Sequence, residues 1–120
     1  MNLGDAFEMA VPPNYDLPHL FFVISDPAKY GGKFIIANIT TDQFRAGKEC
    51  VLSVGEHGWI TQESFMTFAD ALEIPDTKML DALVGSKIKM QKPLDAATLT
   101  KIVEAAKKSK AIQVKFKKYL

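Results

Sequence analysis

His19, Thr40 and His57 are the residues of this 120-residue chain best suited by type and setting to catalysis. An imidazole changes charge near neutral pH and can take or give a proton. A threonine hydroxyl at a strand end can position a phosphate. His19 opens the run His19-Leu-Phe-Phe-Val-Ile-Ser25, and Thr40 and Thr41 close the run Phe34-Ile-Ile-Ala-Asn-Ile-Thr-Thr41. If these runs pair as strands through the Gly31-Gly32 turn, the imidazole and two hydroxyls approach one another at one end of a small sheet. The plainer readings are a half-buried histidine bonded to a loop, and threonines that serve β-propensity and a turn.

A second cluster is Gly55-Glu56-His57-Gly58-Trp59-Ile60. Loops carry function more often than the elements they join. Here a carboxylate, an imidazole and an indole lie between glycines. Trp59 could stack on a nucleobase or plug the core. Glu56 reads as a solvated turn residue or a base, and Ser64 as a cap on the polar turn before it. Ser25, Thr41, Glu56, Trp59 and Ser64 are the candidate substrate-binding residues. Cys50 stands in an apolar run and reads as a packing residue.

Other chemistries have no motif. There is no phosphate-binding glycine loop, no dinucleotide fingerprint and no nucleophile elbow, so no cofactor is expected. The single cysteine and two histidines, 38 positions apart, give no metal-ligand pattern, and no metal is expected. The composition, 48% hydrophobic and 24% charged, is that of a globular protein. No apolar run is long enough for a membrane span, and the N-terminus lacks a signal-peptide pattern, so a cytoplasmic protein without membrane attachment is expected.

The net charge of +1 hides an asymmetry. Residues 1–77 hold 4 Lys/Arg against 11 Asp/Glu, and residues 78–120 hold 11 Lys against 3 Asp/Glu. The basic end is either a solvated helical face or a contact surface for an acidic partner. A single arginine, Arg45, weighs against heavy nucleic-acid readout, for which bidentate guanidinium contacts are favoured.

The elements that must position these residues are mostly strands, within one domain spanning 1–120. Residues 1–18 read as irregular, broken by Pro12-Pro13-Asn14. Residues 19–25 and 34–40 are Phe-, Val- and Ile-rich, and form an antiparallel hairpin covered on both faces. Further strands are expected over 49–54 and 64–72, the latter ended by Pro75-Asp76. The alternation of Lys87-Ile-Lys-Met-Gln-Lys92 predicts an edge strand guarded by lysines. From about residue 95 the pattern turns helical. Asp95 is the N-cap, Leu94 staples onto Leu99, and Leu99, Ile102, Val103 and Ala106 form one apolar stripe. A second short helix is predicted over 111–120. The fold class is mainly β with a C-terminal helix, a small barrel or half-barrel of about five to seven short strands.

These pieces, in this order, resemble the MazF/PemK (Kid) toxin family. Gly4-Asp5 is similar to the Gly-Asp that opens the family. His19-Leu-Phe-Phe-Val-Ile-Ser25 is similar to its Arg-Pro-x-x-Val-hydrophobic-Ser, and Ile39-Thr40-Thr41 to its Ile-Thr-Ser. Ser64-Phe-Met-Thr-Phe-Ala-Asp70 and the stripe from Leu99 to Ala106 resemble later family segments. The resemblance implies an SH3-like barrel, usually a homodimer. It implies metal-independent cleavage of single-stranded RNA by attack of a ribose 2′-hydroxyl, and a cognate antitoxin protein as partner. The family's catalytic threonine carries over to Thr40. Its arginine does not, because His19 holds that place; the chemistry is then either re-cast around His19, with His57, or lost. The Gly55–Trp59 loop also departs from the family pattern. Two other readings stand beside this one: a non-catalytic RNA- or protein-binding module using the lysine-rich end, and an acid/base enzyme using His57 and Glu56 on a small molecule.

Overall fold

The structure, a computed structural model, describes residues 1–11, 14–85 and 87–120, without the side chains of residues 11, 14–16, 45, 83 and 84. In chain order the elements are β1 (Ala6–Val11), β2 (Asn14–Val23), β3 (Lys33–Thr40), α1 (Gln43–Ala46), β4 (Val51–Leu52), β5 (Ser64–Met66), β6 (Leu72–Pro75), α2 (Asp76–Val84), β7 (Ile88–Gln91) and α3 (Ala96–Lys108). Short 3-10 turns cover Pro27–Lys29, Phe68–Asp70 and Val114–Tyr119.

The seven strands form an antiparallel sheet in the order β4-β5-β3-β2-β1-β7, with β6 also on β3. The expected hairpin is present, with Phe21 opposite Asn38 and Val23 opposite Ile36. The other edge of β3 is shared: β6 lies beside Lys33–Ile36, and β5 beside Ile39 and Thr40. The end strands β4 and β7 do not pair with each other, so the barrel is not closed.

Alternation along β2 and β3 supplies two cores, one on each sheet face. Leu20, Phe22, Ile24, Ile35, Ala37 and Ile39 point to one face, where Ile102 and Ala106 of α3 and Phe116 cover them. Phe21, Val23, Phe34 and Ile36 point to the other, with Phe7 of β1, Met79 of α2 and Ile88 of β7. Phe7 and Phe21 stack there at 5.7 Å and 9°. Both central strands are covered on both faces, as their continuous apolar runs predict.

Four expectations need correction. Residues 6–11 and 14–18 are strand, because Ala6 to Met9 find ladder partners in Phe22 to His19; Pro12 and Pro13, which were expected to break the chain, lie outside the described residues. The strand expected over 49–54 is only Val51–Leu52, since Gly55 takes a left-handed φ of 99° and turns the chain away. The strand expected over 64–72 is interrupted by the 3-10 turn at Phe68–Asp70, and β6 resumes beside a different stretch of β3. The helix expected over 111–120 is a 3-10 turn over Val114–Tyr119.

The C-terminal region behaves as read up to Lys108. Asp95 caps α3 by accepting from the Thr98 N–H at 2.7 Å. The Glu49 carboxylate, just before β4, ties down the residues that follow α3, accepting from the Ser109 hydroxyl at 2.6 Å and the Lys110 N–H at 2.8 Å. No helix among the described residues is long and apolar enough to cross a membrane.

Candidate functional site

His19, Thr40, Thr41, Trp59 and Ser64 line one surface cavity of about 180 Å³, together with Ile39. The sheet brings them there. The β2–β3 ladder runs from Val23/Ile36 to Phe21/Asn38, and His19 and Thr40 each lie two residues beyond its last pair, at the same end of the sheet. β5 supplies the third wall, with Phe65 opposite Thr40 and Ser64 next to it. Asn38 itself is buried, and the Thr67 hydroxyl lies 2.5 Å from its side-chain oxygen. That contact fixes β3 to the segment after β5, two residues before Thr40.

Hydrogen bonds assign directions to the hydroxyls. Thr40 Oγ1 accepts from the Asp42 N–H at 3.2 Å, which leaves its own proton to donate. The Ser64 hydroxyl donates to the Gln62 carbonyl at 2.9 Å, so it offers the cavity lone pairs. Thr41 is exposed at the rim and His19 is half-buried. Trp59 is half-buried too, packing against the α3-side core while lining the cavity. One indole thus both closes the core and forms part of the cavity wall.

The two histidines are not brought together in one cavity. His57 is buried, with its ring edge-on to Phe22 at 5.9 Å. Its Nδ1 accepts from the Trp59 N–H at 3.1 Å, and its Nε2 lies 2.6 Å from the Lys92 carbonyl. A backbone N–H can only donate, so Nδ1 carries no proton and Nε2–H donates to Lys92. Both nitrogens are thus committed to backbone. His57 holds the loop that presents Trp59 and does not line the His19 cavity.

Glu56 and His57 line a separate, polar cavity of about 140 Å³ with Lys92 and Asp95. Glu56 is tied down: it accepts from the Ser53 N–H at 2.9 Å and pairs with Lys101 at 2.8 Å. Burial alone raises its carboxyl pKa, but the Lys101 and Ser53 hydrogen bonds and the Lys101 charge outweigh burial and hold it below the usual value. A carboxylate in that state is a poor proton acceptor. Ser25 is elsewhere again, buried, with its hydroxyl accepting from the Ile35 N–H at 2.7 Å. It locks the end of β2 onto β3 and does not line the cavity.

Cys50 is buried, and desolvation pushes its thiol up to about 11, with Lys101 opposing and Glu56 adding. It is a packing residue, as its apolar setting predicts. Among the described residues no group of three or more His, Cys, Asp or Glu is arranged to hold a metal ion. None of the described residues lining the His19 cavity is a lysine or arginine.

One exposed aromatic residue near Thr41 in the chain has no part in the sequence reading. Phe44 is 92% exposed on α1, which begins two residues after Thr41. A phenylalanine within the polar run Thr40-Thr41-Asp42-Gln43-Phe44-Arg45 is the sequence signal for it.

No protein-family model matches this chain, and no curated protein matches it.

Proposed function

We propose that this chain is a metal-independent endoribonuclease of single-stranded RNA, acting as the toxin of a toxin–antitoxin pair. The observation that carries the reading is the convergence of His19, Thr40, Thr41, Trp59 and Ser64, from three stretches of the chain, on one cavity. Its size suits a phosphate and part of a nucleotide better than a drug-sized ligand. The mixture of imidazole, hydroxyl donor, hydroxyl acceptor and indole suits the parts of a ribonucleotide.

In this reading a nucleobase lies against Trp59 and the phosphodiester lies over Thr40. His19 accepts the proton of the ribose 2′-hydroxyl. The 2′-oxygen bonds to phosphorus, the bond from phosphorus to the 5′-oxygen breaks, and the leaving oxygen takes up a proton from water. The products are a 2′,3′-cyclic phosphate and a 5′-hydroxyl. Thr40 donates to a non-bridging oxygen as charge builds there. An imidazole is a weaker fixed cation than a guanidinium, so His19 serves as base more than as charge clamp. The antitoxin would be an acidic segment that folds across the basic surface and covers the site, and the toxin would act as a homodimer.

The absence of lysine and arginine among the described lining residues favours a second reading, a binding module that holds RNA or a protein without cutting it. One experiment separates the two. Purified protein is incubated with a long single-stranded RNA in EDTA across pH 5.5–8.5, beside folded His19→Ala and Thr40→Ala variants, and binding is measured on a 2′-deoxy oligonucleotide. Discrete cleavage by the wild type, lost in both variants, supports the nuclease. Binding without cleavage supports the module. Neither cleavage nor binding removes both RNA readings.

A further inference from the structure

We propose that Phe44 is a base-stacking subsite beside the His19 cavity, taking the unpaired nucleobase next to the one held at Trp59. The inference rests on the single-stranded RNA reading above and adds a residue and a ligand part to it.

A phenylalanine ring that is 92% exposed gains nothing from folding, yet its position is built. The Asp42 N–H donates to Thr40 Oγ1 at 3.2 Å, and Asp42 Oδ1 accepts from the Phe44 N–H at 3.0 Å. The threonine that faces the cavity therefore starts the turn that carries the ring. The Gly47 N–H closes the turn on the Gln43 carbonyl at 2.8 Å, with Gly47 at a φ of 72° that favours glycine. Chain length alone keeps the Phe44 backbone within about 11 Å of Thr41. That is within reach of the nucleotide adjoining one whose phosphate lies over Thr40.

The chemistry of the surroundings selects the occupant. Trp59 offers one π-surface in the cavity wall beside Thr40 and Thr41, and Phe44, three residues along the chain from Thr41, offers a second, exposed one on α1. Two aromatic faces flanking hydroxyl donors match successive bases joined by a phosphate. Every base has a π-face, so such a platform is strong and tolerant of sequence. A folded protein partner would need a broader apolar patch than one ring.

The test measures affinity for a non-cleavable 2′-deoxy oligonucleotide, and for versions with one base removed at each position in turn. Wild type is compared with Phe44→Ala and Phe44→Trp. Because the ring is exposed, neither substitution disturbs the core. The expected result is that Phe44→Ala weakens binding on the order of tenfold while Phe44→Trp retains it. One abasic position should weaken wild-type binding but leave Phe44→Ala unaffected. If wild type binds and Phe44→Ala binds equally well, or if its loss is the same at every abasic position, the subsite is overturned and the RNA reading survives. If wild type binds no oligonucleotide, the subsite is overturned, and the RNA reading falls with it only where the protein also cleaves no RNA. If Phe44→Ala instead changes the sedimentation of the free protein, the ring serves self-association, and the subsite is overturned.

Discussion

At the scale of single residues, the two histidines show how backbone context decides what an imidazole does. His19 faces a cavity beside unspent hydroxyl capacity, whereas both nitrogens of His57 are bonded to main chain. His57→Phe keeps the packing on Phe22 but strands the Lys92 carbonyl and the Trp59 N–H. It should cost about 1–3 kcal/mol in urea unfolding and shift Trp59 emission. An unchanged unfolding midpoint would show that the two bonds hold nothing. Cys50 gives a second prediction. With its thiol pushed up to about 11, only about one molecule in a thousand is thiolate at pH 8. The native protein should resist a thiol-directed disulfide reagent that labels it rapidly in urea; fast native labelling would contradict the burial. The juxtaposition of His19 and Thr40 was legible in the sequence because strand period and a glycine turn specify register. The duties of Ser25 and His57 were not. They depend on which backbone groups, Ile35 N–H and Lys92 carbonyl, the fold sets against them.

At the scale of elements, the legible pieces are those whose signal lies within their own residues. The lysine-guarded strand β7 pairs with β1 at the edge of the described sheet, and α3 begins at the cap that Asp95 announces. The illegible ones depend on neighbours. Ala6-Phe7-Glu8-Met9 is too short and mixed to declare a strand alone, and becomes one between β2 and β7. Asp76 read as the end of a strand, but it is also the first residue of α2. The cap at Asp95 makes a prediction with a definite pH sign. Hydrogen bonds from Thr98, and a lesser one from Ala97, hold its carboxyl below the ordinary 3.8 in the folded protein. A depressed folded pKa contributes stability above the unfolded value, and that contribution is lost as pH falls through the folded one. Asp95→Ala should therefore be less stable than wild type at pH 7, with the gap closing as pH drops below about 3.8. Asp95→Asn, which still accepts from Thr98, should keep most of the capping without that pH dependence. Parallel wild-type and Asp95→Ala stability curves down to pH 2 would exclude the carboxylate as the source.

At the scale of the whole molecule, one sheet serves two cores, and this ties the cavity to residues far from it. Phe7 and Phe22 are each fully buried, Phe7 on the α2 face and Phe22 on the α3 face. Phe22 also backs the His57 ring that presents Trp59, while Phe7 stacks on Phe21, whose partner Asn38 lies two residues from Thr40. Neither core can loosen without disturbing the strands that set His19 against Thr40. Phe7→Ala and Phe22→Ala should each cost about 3–5 kcal/mol, a large share of the roughly 5–15 kcal/mol that holds such a domain together. Because β1, β2 and β3 all contribute to both cores, each variant should still unfold in one transition. Trp59 fluorescence, which reports the α3 side, and far-UV circular dichroism, which reports the whole, should then give the same urea midpoint. If Phe7→Ala melted the α2 face at low urea and left the Trp59 signal at its wild-type midpoint, the two cores would be independent. The sheet would then not couple remote packing to the His19 cavity.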